Sequence, residues 1–102
     1  MEAITNVKVG FKTYKIEKPM EIVEVDGEYS GTCSYTTSTI KLADKLEQVD
    51  KNQVFWHELL HCICKRFALV AFNEDEQSID LLATGIYELI KDNPHIFTMR
   101  DI

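Results

Sequence analysis

The feature that most constrains the fold is a change of hydrophobic period near residue 50. Upstream, residues 4–17 are rich in β-branched and aromatic types, and Val7, Val9 and Phe11 alternate as a strand with one buried face requires. Pro19 ends this run. Residues 21–25 form a second short apolar run, closed by Asp26-Gly27, a dipeptide favoured in tight hairpin turns. Residues 29–42 carry Tyr, Thr, Cys and Ile in a pattern that suits two strands around Thr36-Thr37-Ser38. Three or four antiparallel strands are predicted.

Downstream the period is helical. Asp50-Lys51-Asn52-Gln53 resembles a capping box, which predicts a helix over 51–67 with Phe55, Trp56, Leu59, Leu60, Ile63 and Phe67 on one broad apolar face. Asn73-Glu74-Asp75-Glu76 opens a second helix with acids in its first turn, where the helix dipole favours them. It runs to Lys91 or Asp92 before Asn93-Pro94, with Ile79, Leu82, Ile86, Leu89 and Ile90 as its apolar arc. Strands followed by helices, not alternating with them, predict an α+β domain: a small antiparallel sheet packed against two principal helices.

A chain of 102 residues has room for one core, so residues 1–102 form a single domain, with 93–102 as a C-terminal tail. The formal net charge of −6 argues against nucleic acid and anionic membranes, which call for a clustered Lys/Arg face. Met1-Glu2-Ala3-Ile4 lacks the basic start and apolar stretch of a signal peptide, and no segment approaches about 18 apolar residues. A cytoplasmic, soluble protein is the expectation. Cys33, Cys62 and Cys64 are an odd set without disulfide-framework spacing, so reduced thiols are expected. Cys62 and Cys64 diverge by about 200° on a helix, which disfavours a bond between them.

The chemistry concentrates in His57-Glu58-Leu59-Leu60-His61. Two imidazoles at i and i+4 lie about 40° apart on one helix face and can bind one Zn²⁺. Glu58 sits beside that face, where a carboxylate can take a proton from a water that the metal has acidified. Glu74, Glu76 and Asp80 are the candidates for a third ligand. On the second helix Glu76, Asp80, Ala83 and Tyr87 lie within about 40° of one line, while Glu74 points nearly opposite. A ligand must face the partner helix, which prefers Glu76 and leaves Asp80, one turn on, to accept a hydrogen bond from a ligand histidine. The plain alternatives are a capping partner of Asn73 for Glu76 and a solvated acid for Asp80. Tyr87, on the Glu76 line, and His95, in the tail, are possible accessory residues. Their plain readings are a core-edge aromatic and an exposed terminal histidine, and Cys64 is read as packing.

His57-Glu58-Leu59-Leu60-His61 followed by Glu76-Gln77-Ser78-Ile79-Asp80 resembles the gluzincin metallopeptidase pattern, H-E-x-x-H completed by E-x-x-x-D on a following helix. The resemblance is closest to minigluzincins and similar small proteins of phages and prophages. It also takes in Gly31-Thr32-Cys33-Ser34-Tyr35, Thr39-Ile40-Lys41-Leu42, and the stretch from Leu82-Ala83 through Asp92-Asn93-Pro94. It implies His57, His61 and Glu76 as zinc ligands, Glu58 as general base and Asp80 as the outer carboxylate. It also implies that an edge strand near Thr39–Leu42 pairs with an extended peptide or protein substrate. No counterpart is found of the downstream subdomain that supplies a transition-state-stabilising His or Tyr in larger gluzincins. The expected function is a zinc-dependent peptidase. The alternative is a catalytically weak or latent zinc-binding regulatory module.

Overall fold

The computed structural model describes residues 4–24 and 27–98. Met1, Glu2, Ala3, Val25, Asp26 and the end of the tail, 99–102, lie outside the described residues, as therefore does half of the expected Asp26-Gly27 turn.

The fold is α+β. Residues 4–17 are not one strand but a hairpin, β1 (Asn6–Val9) and β2 (Lys12–Glu17), paired antiparallel with Val9 opposite Lys12. Gly10 makes the reversal possible: its φ of +65° suits the first central position of a two-residue turn. A separate two-stranded ribbon follows, β3 (Ile22–Glu24) with β4 (Gly27–Tyr29). β5 (Gly31–Ser34) and β6 (Thr39–Leu42) then form an antiparallel pair around a turn in which Ser38 takes a φ of +55°.

The main sheet has the order β1-β2-β6-β5. It is mixed, not wholly antiparallel as the sequence predicts, because β2 and β6 run parallel, with Ile16 opposite Ile40. Parallel neighbours need a connection of a dozen or more residues. The excursion through β3, β4 and β5 supplies it. β6 is thereby an interior strand, and Ile40 is fully buried.

Three helices follow: α1 (Gln48–Arg66), α2 (Val70–Glu74) and α3 (Glu76–Asp92), with a 3₁₀ turn at Pro94–Thr98 packed on α3. None among the described residues is long and apolar enough to cross a membrane. Helix α1 starts three residues before the expected position, at an N-cap, Glu47, that makes no side-chain cap bond, so Asp50 is a first-turn acid. Ala68, at φ +55°, breaks α1 with the left-handed residue common at helix ends. The cap of α3 is Asp75, not Asn73. Its carboxylate accepts from the Ser78 backbone N–H at 3.1 Å and the Ser78 hydroxyl at 2.7 Å.

Helix α1 is the central layer, and its expected single apolar face is divided in two. Leu59 and Cys62 pack with Tyr14, Ile40 and Leu42 of the sheet. Leu60 and Cys64 pack with Ile79 and Ala83 of α3, while Trp56 and Ile63 touch both clusters. Phe67 falls beyond the last helical residue and is exposed, as are Leu82 and Leu89, because α3 meets α1 along the narrower stripe Ile79, Ala83, Ile86. Complete burial of Ile79 stabilises that contact by about 1.5–3 kcal/mol.

Candidate metal centre

The α1–α3 contact brings the first residue of α3 over the histidine stripe of α1. Glu76 presents one oxygen 3.0 Å from His57 Nε2 and the other 2.9 Å from His61 Nε2. The two imidazole centroids are 5.1 Å apart. Ligand atoms of His57, His61 and Glu76 all fall within 4.8 Å of one another, close enough to hold a metal ion.

Chance ion pairing of histidines with a carboxylate does not explain what lies behind the rings. His57 Nδ1 is 3.1 Å from Asp80 Oδ1, and His61 Nδ1 is 2.5 Å from Asn73 Oδ1. Both outer atoms are acceptors, so each ring donates from Nδ1, the tautomer that would leave Nε2 free to ligate a metal. Asn73 is held in this sense, since its amide Nδ2 donates to Tyr35 Oη at 3.1 Å and Tyr35 Oη donates to the His61 carbonyl at 3.2 Å. Burial pushes the Tyr35 phenol above its ordinary pKa, which keeps it protonated as that donor.

Asn73 was not foreseen as part of the site, because its place three residues before Glu76 reads as a helix cap. The one sequence signal against that reading is that Asp75 and Ser78 suffice as a cap, leaving Asn73 free. Glu74, the last residue of α2, is exposed and outside the cluster.

Glu58 is buried, at 8% exposure. Burial raises its carboxyl pKa above the ordinary range, against the lowering effect of His57 and His61, while Glu76 raises it further. With His57, Glu76 and Asp80 it lines an open cavity of about 520 Å³, to which Tyr29 and Gly31 contribute from the sheet side. The approach of β5 to α1 depends on Gly31. A Cβ there would lie 2.4 Å from Val54 Cγ1 and 3.3 Å from Glu58 Cγ.

Among the described residues, the strand with a free edge beside this cavity is β5. The segment Thr39–Leu42, expected as the edge, is β6, and its hydrogen-bonding sides are taken by β2 and β5. The edge that the resemblance implies for Thr39–Leu42 therefore falls on the neighbouring strand Gly31–Ser34.

Tyr87 and His95 are placed away from the cluster. The Tyr87 hydroxyl accepts from Asn52 Nδ2 at 3.3 Å, tying α3 to α1, and His95 is exposed in the 3₁₀ turn. Cys64 is core, as expected. No protein family, curated protein or solved structure that was compared with the chain matches it.

Proposed function

We propose that the protein is a zinc-dependent peptidase in which His57, His61 and Glu76 hold the metal and Glu58 is the general base. The observation that carries this reading is the convergence of two Nε2 atoms and one carboxylate, each ring braced at Nδ1, beside a buried glutamate in an open cavity. Two nitrogens and an oxygen form a donor set suited to zinc with an open position.

Zinc, when bound, supplies a Lewis acid that polarises a peptide carbonyl and makes water more acidic. Glu58 takes the proton of the attacking water and returns it to the departing amine, a role for which a raised carboxyl pKa is suited. The free edge of β5 offers backbone N–H and C=O groups to an extended peptide. Tyr29 is the only tyrosine that lines the cavity, and its phenol is the candidate donor to the carbonyl oxygen that gains charge.

The second reading, a zinc-binding module with weak or latent catalysis, is favoured by the placement of Tyr87 and His95 away from the metal ligands. One variant separates the two. Glu58→Gln should keep its zinc and lose hydrolysis of a denatured protein substrate by a factor of 100 or more (about 10²–10⁴). A zinc-loaded wild type with no hydrolysis above the variant's would leave the binding module as the function.

A further inference from the structure

On the sheet side of α1, one residue beyond His61, two thiols meet. Cys33 Sγ on β5 and Cys62 Sγ on α1 are 2.8 Å apart. A disulfide bond is about 2.05 Å long, so less than about 1 Å of closure separates this contact from a covalent bond. The pairing is specific. Cys64 faces α3, in the cluster with Leu60, Ile79 and Ala83, roughly 200° around the helix from Cys62.

Cys62 also borders open space. A surface cavity of about 260 Å³ has Cys62 in its lining, among the side chains of Val9, Phe11 and Tyr14 and the cations Lys12, Lys65 and Arg66. Cys62 is almost wholly buried, so only a small reagent reaches its sulfur, while Cys33 on the edge strand is partly exposed.

We propose that Cys33 and Cys62 form a reversible intramolecular disulfide, written by a small hydroperoxide and stapling the edge strand β5 to α1. One cysteine sulfur, as thiolate, attacks the peroxide; the O–O bond breaks, hydroxide leaves and takes up a proton to become water, and a sulfenic acid remains. The second sulfur attacks the sulfenic sulfur, the S–O bond breaks, the S–S bond forms and a second water leaves. In sum, two thiols lose two electrons and two protons, and one hydrogen peroxide becomes two waters. The staple joins elements 29 residues apart in sequence, and a loop of that length gives substantial stabilisation on closure.

The test uses the reduced full-length chain and equimolar hydrogen peroxide. Free thiols should fall from three to one, the mass should drop by two hydrogens, and peptide mapping should join the Cys33 and Cys62 fragments in a monomer. The melting midpoint should rise by about 10 °C or more, and a dithiol reductant should reverse it. Cys64→Ser should behave like the wild type, and Cys33→Ser and Cys62→Ser should show no rise. Three thiols remaining under excess peroxide, oxygen addition without a cross-link, or cross-linked dimers would each overturn the proposal. Zinc content recorded in parallel keeps this result separate from the metal reading, on which it does not depend.

Discussion

Asn73 Oδ1 lies 2.5 Å from His61 Nδ1, so α2, a helix of five residues, orients a histidine of the candidate metal cluster on α1. Removing such an outer partner typically lowers metal affinity 10–100-fold. Asn73→Ala is expected to weaken zinc binding by about that factor, as is Asp80→Ala, while Glu74→Ala should leave it unchanged. Competition titration with a chromophoric chelator measures all three.

Gly31 lies close against Val54 and Glu58 of α1. Its replacement by alanine drives a methyl into Val54 and crowds Glu58. Overpacking of this kind destabilises by about 1–3 kcal/mol. Gly31→Ala should therefore lower the melting midpoint and reduce hydrolysis at unchanged zinc content, whereas Gly85→Ala, with nothing near its added methyl, should reduce neither.

The Glu58 carboxyl is held above its ordinary pKa by burial. A raised carboxyl pKa means that the folded chain gives up its proton less readily than the unfolded one, so stability falls as pH rises through the ordinary carboxylate range toward the raised value. In metal-free protein, Glu58→Gln should melt higher than the wild type at neutral pH. The gap should close below about pH 4, where the unfolded carboxyl is also protonated. A gap that widens in acid would contradict the burial argument.

Asp75 has the opposite sign. Hydrogen bonds from the Ser78 hydroxyl and backbone hold its pKa below the ordinary value, so its capping contribution is present above the unfolded carboxyl pKa and is lost as pH falls through the folded one. Asp75→Ala should lower the melting midpoint by a few degrees at neutral pH and by less near pH 3. Thermal melts across that range check it.

The helices were legible because their signals are local. The i, i+4 spacing of His57 and His61 and the phase of Glu76 and Asp80 survive any rotation of α3 that buries Ile79. What depends on long-range packing was not legible. The parallel β2–β6 pair, and hence the transfer of the free edge from Thr39–Leu42 to Gly31–Ser34, follows from the path of the chain through residues 18–38, which no periodicity encodes. Asn73 was hidden by a local rule, since a polar residue before a helix reads as a cap until another residue is seen to cap it. The split of α1 into a sheet face and an α3 face likewise appears only when both partners are in place.

The central claim is that His57, His61 and Glu76 hold one metal ion, and elemental analysis of the purified chain after incubation with zinc and removal of the excess tests it most directly. One zinc per wild-type chain is predicted, with strongly reduced content in His61→Ala and Glu76→Ala and full content in Glu74→Ala. Because the ion binds the folded chain, a chelator should also lower the wild-type melting midpoint and leave that of His61→Ala unmoved. No zinc in the wild type, or equal zinc in all four proteins, would contradict the account.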